Sequence, residues 1–233
     1  MNLYFCVPTF KELESVKRFV GCVSMLDLQG FAVTVVIANS GFHDETSVFI
    51  KSLPVLNIDI LELQGNSDEF WGAAVNRSFD SVTALSKSVD DVIILCNIDI
   101  IFDQNTIDEL LKVYLANNKS CVGSMGYFDN RIISSGVVCS LPFYGFNNHP
   151  YAGSTHDFIA VESSIDCDFL PGRLMAFSIS HLNDGLRIDS ANFPHYHADY
   201  VFSYDLKLRG VSLKLALKSR FYSDRENTGD SPF

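Results

Sequence analysis

Residues 91–101, DVIILCNIDII, combine an unbroken apolar run with two polar residues, Asn97 and Asp99, near its end. Such a run predicts a strand buried on both faces of a sheet. Asn97 and Asp99 are two residues apart, so they lie on the same side of an extended chain. Asp99 offers a hard oxygen ligand suited to Mg²⁺ or Mn²⁺, and Asn97 could bond a ribose or orient the metal ligands. The alternative is that both residues only end the strand and cap a turn.

Alternating strands and helices surround this strand in the first half of the chain. Apolar, β-branched runs predict strands at residues 2–10, 31–41 and 55–63. Helical spacing predicts helices at residues 11–28, 44–53, 70–88 and 105–118, the last with its cap at Asn105 or Thr106. This alternation predicts an α/β domain whose central sheet is mostly parallel and carries helices on both faces.

The second half has a different pattern, which predicts a mixed sheet region. Strands are predicted at residues 121–128, 131–139, 169–180 and 211–217, a turn at residues 129–130, and a helix at residues 198–210. A loop rich in proline, glycine and aromatic residues spans residues 141–156. We expect one domain over residues 1–233, with a first half at 1–103 and a second half at 104–233.

Composition excludes several classes of protein. The net charge of −11 and the pI of about 4.8 disfavour a nucleic-acid partner, because an acidic chain repels phosphates. The six cysteines form no Cys-x-x-Cys pair and no zinc-ligand spacing, which fits a reducing compartment. The start of the sequence predicts no signal peptide, and no apolar run approaches the roughly 18 residues that a membrane span needs. We expect a cytoplasmic protein with at most peripheral contact at the inner face of a membrane.

Polar residues follow each of the first four predicted strands, but no glycine loop for phosphates is present. The sequence contains neither a Gly-x-Gly-x-x-Gly fingerprint after the first strand nor a Gly-Lys-Ser loop. This disfavours a dinucleotide enzyme. If this chain binds a phosphorylated ligand, the phosphate charge must be neutralised without a glycine loop, and a metal ion held by a carboxylate is the usual alternative.

A second signal lies in residues 193–210, FPHYHADYVFSYDLKLRG. Asp199 stands at the start of the predicted helix, within a cluster that includes His195, His197 and Tyr200. One interpretation is a general base. The other is that the carboxylate simply caps the helix.

Six segments together resemble the family 2 glycosyltransferases of the GT-A fold, especially bacterial members that build surface polysaccharides. They occur in the family's order over about residues 3–229. The segments are CVPTFKE (6–12), VVIANSG (35–41), GNSDEFWGAAVNRSF (65–79), ILCNIDIIF (94–102), DFLPGRLMAFS (168–178) and FPHYHADYVFSYDLKLRG (193–210).

The resemblance implies that the first half binds a nucleotide-sugar donor and that the second half carries the acceptor and catalytic region. Asp199 is the implied catalytic base and Asp99 the implied ligand of Mn²⁺ or Mg²⁺. Gly172, Arg173 and His197 are implied at the acceptor loop. The implied donor-binding residues are Pro8, Thr9, Phe10, Glu12, Asn39, Asn66, Trp71, Gly72, Asn76 and Asn97. Residues 223–230, SDRENTGD, resemble a loop that closes over the donor.

Two positions depart from the family's motifs. Asn97 stands where the Asp-x-Asp motif has its first aspartate, and His197 replaces the first member of an acidic pair, so Asp199 is left as the base. The resemblance implies an inverting hexosyltransferase whose acceptor is a glycan or a lipid-linked sugar. A non-catalytic nucleotide- or carbohydrate-binding relative and a sugar nucleotidylyltransferase are the alternatives.

Overall fold

A computed structural model describes residues 1–41, 43–117, 120–141, 146–155, 161–194 and 196–223. The first part of the chain alternates strands and helices as the sequence predicts. Its elements are β1 (Asn2–Thr9), α1 (Leu13–Ser24), β2 (Ala32–Asn39), α2 (Glu45–Ser52), β3 (Asp59–Gln64), α3 (Trp71–Leu85), β4 (Val92–Cys96), β5 (Ile100–Ile101) and α4 (Gln104–Ala116).

The rest of the described chain is dominated by strands. Its elements are β6 (Cys121–Phe128), β7 (Arg131–Ser134), β8 (Val138–Leu141), β9 (Phe146–Asn148), β10 (Ser164–Asp166), β11 (Leu174–Ser178), α5 (Ser180–Asn183), α6 (Ala198–Leu208) and β12 (Leu213–Ser223). Among these, β9, β10 and α5 are short elements that the sequence patterns did not predict.

The central sheet has the strand order β10-β12-β6-β11-β4-β1-β2-β3. The four strands β3, β2, β1 and β4 are mutually parallel, as the β-α alternation predicts. Strand β11 runs antiparallel to both β4 and β6 and joins this parallel half to the second half. The sheet is therefore mixed, and β6 and β12 of the second half also pair in parallel with each other.

Alternation along the strands divides the apolar core between the two faces of the sheet. In β1, Phe5 points to the face covered by α1 and α4, where its ring contacts Phe19 and Phe102. On the other face, covered by α3, α5 and α6, the rings of Phe79 and Phe202 pack together. The prediction of helices on both faces is confirmed.

The structure differs from the sequence-based prediction at the start of α4 and at the end of β12, and agrees with it at the turn between β6 and β7. The cap of α4 is Asp103, not Asn105 or Thr106, because the Asp103 carboxylate accepts the Thr106 N–H in a reciprocal capping box. The predicted turn at Asp129 and Asn130 is confirmed, and both residues have positive φ, as a tight two-residue hairpin requires. Strand β12 extends six residues beyond its predicted end at Leu217 and pairs with β5 there.

The cysteines and the helices bear on the compartment that the sequence predicts. All six cysteines are free thiols and lie within the described residues. Within that same part of the chain, no helix is both long and apolar enough to cross a bilayer.

Candidate functional site

The carboxyl ends of the parallel strands meet at one edge of the sheet. Thr9 at the end of β1 is in register with Asn39 at the end of β2, and Asn39 is in register with Gln64 at the end of β3. In open α/β sheets this edge is where ligands bind. The residues singled out after the four strands therefore do share one edge.

The turn that carries Asn97 and Asp99 is fixed from two sides. The Asn97 N–H donates to the carbonyl oxygen of Arg173 over 3.0 Å. On the other side, Ile100 in β5 pairs with Ser223 in β12. Between these anchors Ile98 is buried, whereas Asn97 and Asp99 are partly exposed. The backbone thus presents both polar side chains at the sheet edge.

Trp71 joins α3 to this turn. It is the first residue of α3, and its indole Nε1–H donates to Oδ1 of Asn97 over 3.1 Å. The side chain of Trp71 is partly buried. Asn97 therefore has its carbonyl oxygen engaged by the protein, and its remaining amide group is what it can offer to a ligand.

Gly172 lies between Trp71 and Asp199. Its N–H donates to Oδ2 of Asp199 over 2.8 Å. A Cβ at this position would lie 2.9 Å from Cβ of Asp199 and 3.1 Å from Cη2 of Trp71, distances too short for an unperturbed side chain. Only glycine allows this approach, so Trp71, Asn97, Gly172 and Asp199 form one continuous cluster.

Asp199 is the second residue of α6 and its carboxylate is anchored by two amides. Besides the Gly172 bond, Oδ1 of Asp199 accepts the N–H of Tyr200 over 2.9 Å. Burial raises the pKa of Asp199 above its ordinary value, and the amides of Gly172 and Tyr200 and the charge of His197 oppose that shift. His197 precedes the helix in the left-handed conformation, with φ of 63°.

The first strand and the residues after it contribute both buried and exposed side chains to this edge. Pro8 and Thr9 are buried at the end of β1, Phe10 is 45% exposed, and Glu12 precedes α1 as its N-cap residue. Asn66, in the loop after β3, is exposed. Of these residues, Phe10 and Asn66 are the most accessible to a ligand.

Asn39 faces inward and is fully buried. Its amide nitrogen lies within hydrogen-bond distance of Asp44, Ser47 and Glu62, and its Oδ1 accepts the N–H of Gly41. A buried amide with these partners has no contact left for a nucleotide. We therefore replace its implied donor-binding role with that of a positioning residue.

Asn76 and Gly72 also make contacts within the protein. Asn76 donates to the carbonyl oxygen of Ile188 and accepts the Ile188 N–H, each over 2.8 Å. A Cβ on Gly72 would lie 3.1 Å from both Ile188 and Ser190. Both residues hold α3 against the segment that precedes α6, and their implied contact with a donor stays a prediction.

The sequence analysis did not predict a polar network that lies next to this edge of the sheet. Arg77 forms an ion pair with Glu69 over 2.6 Å, and Glu69 accepts the hydroxyl of Ser40 over 2.9 Å. Burial lowers the pKa of Arg77 while Glu69 opposes the shift. Arg77 is the only basic residue in GNSDEFWGAAVNRSF (65–79), which is the signal that could have identified it.

A divalent ion fits this site on the condition that a diphosphate binds with it. Among the described residues, no three carboxylate, histidine or cysteine side chains converge to hold an ion. Asp99 supplies a single carboxylate, and Mg²⁺ sites commonly use one or two carboxylates plus substrate phosphates. His195 and the loop at residues 224–230 lie outside the described residues.

The fold of the chain is the GT-A fold of glycosyltransferases. No family model matches the sequence, and no curated protein matches it. Two solved structures share the fold across nearly the whole chain. Residues 1–349 of S. aureus TarS align with a TM-score of 0.58 at 13% identity, covering 96% of this chain and 60% of that one.

The second structure is GalNAc-T7 with UDP, GalNAc and Mn²⁺. It aligns with a TM-score of 0.69 at 11% identity and covers 98% of this chain and 44% of that one. Both are GT-A glycosyltransferases. The chain thus spans less than two thirds of either aligned structure, and at these identities the likeness establishes the fold alone.

Proposed function

We propose that this protein is an inverting glycosyltransferase that moves a hexosyl group from a nucleoside diphosphate donor to a glycan or lipid-linked acceptor in surface polysaccharide biosynthesis. The observation that carries the proposal is the 2.8 Å bond from the Gly172 N–H to Asp199. It fixes a partly buried carboxylate beside the Trp71–Asn97 pair, next to the turn that carries Asp99.

The donor would lie along the edge formed by the ends of β1 to β4. Phe10 and Asn66 are accessible there, and the Ser40–Glu69–Arg77 network forms a polar floor. Asn97 keeps its amide nitrogen available, because only its oxygen is bonded to Trp71. An amide donor of this kind can bond a ribose or phosphate oxygen.

A divalent ion, Mn²⁺ or Mg²⁺, would be held by Asp99 together with the donor's diphosphate. When bound, such an ion stabilises the negative charge that develops on a departing nucleoside diphosphate. The Mn²⁺ in the GalNAc-T7 structure supports this part of the proposal by analogy of fold. The chain's own contribution is to hold Asp99 on a turn fixed at both ends.

Asp199 would accept the proton of the acceptor hydroxyl while that oxygen attacks the anomeric carbon. The attack displaces the diphosphate from the opposite face, so the configuration inverts. Burial raises the pKa of Asp199, which strengthens the carboxylate as a base. General-base catalysis contributes about 10²–10⁴-fold. Orientation of the two substrates supplies much of the remainder.

A thermal-shift panel of UDP, GDP, dTDP and CDP with Mn²⁺ is the direct test. A ligand that binds only the native state raises the unfolding temperature. We expect one nucleotide to do so with Mn²⁺, and Asp99→Ala to abolish that increase. Asp59→Ala is the matched control, because Asp59 is an exposed carboxylate at the opposite end of β3. The proposal is wrong if none of the four nucleotides raises the unfolding temperature.

A non-catalytic nucleotide- or carbohydrate-binding role is the second candidate. Asn97 supports it, because an amide bonded to Trp71 leaves Asp99 as the sole carboxylate of the turn. Transfer assays with the nucleotide sugar that passes the panel separate the two functions. Nucleotide binding without release of nucleoside diphosphate, with or without acceptor glycans, would establish the binding role.

A further inference from the structure

Four aromatic side chains form a continuous track on the surface beside Asp199. The ring of His197 lies 6.1 Å from that of Tyr200, and Tyr200 lies 6.2 Å from Phe169. Phe169 in turn stacks with Tyr204 at 5.3 Å and an interplanar angle of 27°. These separations are in the range of contacting aromatic pairs. We call these four residues the aromatic track.

The aromatic track begins at the candidate base. Tyr200 directly follows Asp199, and Phe169 precedes by three residues the Gly172 whose N–H bonds Asp199. Tyr204 lies four residues after Tyr200 on the same face of α6, about 6 Å further along the helix axis. The track therefore leads away from Asp199 by about one helical turn.

The track is separate from the part of α6 that forms the core. Phe202, on the core side, is fully buried against Phe79 and Phe177. Tyr204, by contrast, is 42% exposed, and Tyr200 is partly exposed. Core packing therefore accounts for Phe202 but not for the exposed part of Tyr204.

The charges around the track favour a neutral or polar ligand over an anionic membrane. Lys207, one turn beyond Tyr204 on α6, is already paired with Asp168. Binding to anionic lipid needs a basic face, and the chain as a whole carries a net charge of −11. A hexose ring has apolar C–H faces and polar edges, which match rings that combine an apolar body with a hydroxyl.

We propose that the aromatic track binds the acceptor as an oligosaccharide, holding the sugar units behind the one whose hydroxyl reaches Asp199. The separation between Tyr200 and Tyr204 along α6 suits successive sugar units. This inference rests on the proposed function and deepens it, because it specifies an acceptor of at least two sugar rings. A single sugar would reach Asp199 without contacting Tyr204.

The test is binding of the fluorescently labelled full chain to an array of defined oligosaccharides and their component monosaccharides, without donor. We expect wild type to bind particular oligosaccharides and Tyr204→Ala to weaken that binding about tenfold, a typical effect of losing one stacking ring. Tyr204→Phe should retain most of the binding because it keeps the ring and loses only the hydroxyl. Leu208→Ala is the matched control, since Leu208 is 69% exposed one turn further along α6.

Failure of this inference is distinguishable from failure of the proposed function, because the array needs no nucleotide. The inference is overturned if wild type binds no oligosaccharide, or if Tyr204→Ala binds as tightly as wild type. It is also overturned if the track instead binds vesicles of phosphatidylglycerol and phosphatidylcholine in a Tyr204-dependent way. A nucleotide that still raises the unfolding temperature with Mn²⁺ would leave the donor site of the proposed function intact in all three cases. Thermal unfolding of each variant confirms that it is folded.

Discussion

The indole N–H of Trp71 donates to Oδ1 of Asn97 over 3.1 Å and so joins the start of α3 to the end of β4. Asn97→Ala removes this acceptor, so that only water can accept the hydrogen bond of the indole N–H. We expect a loss of about 0.5–1.5 kcal/mol in the free energy of unfolding, the usual worth of one hydrogen bond. Trp71 is the only tryptophan, so its fluorescence reports this site directly, and emission should shift to longer wavelength. Asn97→Asp retains an acceptor and should keep the wild-type spectrum.

Metal binding should depend on the nucleotide. Asp99 provides one carboxylate, so Mn²⁺ needs the diphosphate oxygens as further ligands. We expect Mn²⁺ alone to leave the unfolding temperature unchanged, and Mn²⁺ with the matching nucleotide to raise it more than the nucleotide alone. Titration calorimetry in both orders of addition measures this coupling. Tight binding of Mn²⁺ without nucleotide would contradict it and would indicate further protein ligands.

The transfer rate should fall as pH is lowered. A base must be deprotonated, and burial raises the pKa of Asp199 above its ordinary value of 3.8. The acid limb of the rate profile should therefore lie above that value.

Asp199→Asn should lose about 10²–10⁴-fold in transfer rate while retaining the metal-dependent nucleotide shift. Asp205→Asn, on the same helix, is the control and should transfer normally. An unchanged rate in Asp199→Asn would refute the assignment of the base.

Gly172→Ala should impair transfer with little effect on the fold. The new methyl group would lie 2.9 Å from Cβ of Asp199, so the carboxylate or the loop must move. A displacement near 1 Å in a catalytic group can cost roughly 100-fold in rate. Steady-state kinetics should show the loss mainly in kcat.

The control for this substitution is Gly21→Ala in α1, where an added Cβ meets no atom within 4 Å. That change should keep the wild-type rate and raise the free energy of unfolding by about 0.5–1 kcal/mol, because alanine is the better helix former. A normal rate in Gly172→Ala would show that the loop adapts without moving Asp199.

Asn76→Ala should affect stability before activity. The variant leaves the N–H of Ile188 without its partner, at a cost of about 1–3 kcal/mol for a buried group, whereas the Ile188 carbonyl keeps its bond from the Ser190 N–H. Denaturant unfolding measures the loss. Asn105→Ala, at an exposed position of α4, should be close to neutral. If Asn76→Ala instead kept full stability and lost nucleotide binding, the implied donor contact would be restored in place of the positioning role.

The fold was predictable in its parallel half because buried strands and amphipathic helices leave strong periodic patterns. DVIILCNIDII (91–101) shows the strand and its polar end together, and the structure places that end at the ligand edge. The antiparallel insertion of β11 between β4 and β6 was not predictable, because the apolar run at residues 174–178 fits either direction. Pairing direction depends on long-range topology, which local patterns do not encode.

The predicted roles of Asp99 and Asp199 stay predictions, and they rest on different signals. Asp99 follows an apolar run, whereas Asp199 stands at the start of a helix in a segment that resembles a family motif. Asn39 and Asn76 occupy similar sequence positions, yet the structure uses their side chains in internal hydrogen bonds. An asparagine bonds a ligand and a backbone with the same groups, so its sequence position alone cannot separate the two roles.

The anchored turn of Asn97 and Asp99 has a thermodynamic consequence. The Asn97 N–H is bonded to Arg173, and Ile100 is paired with Ser223, so the backbone that carries Asp99 is ordered when the protein folds. Ordering one residue costs about 1–2 kcal/mol, and here that loss of conformational entropy precedes the arrival of any ion. In the proposed function, the free energy of binding the ion and the donor would therefore not have to cover the ordering of this turn, because the Asp99 backbone is already in position.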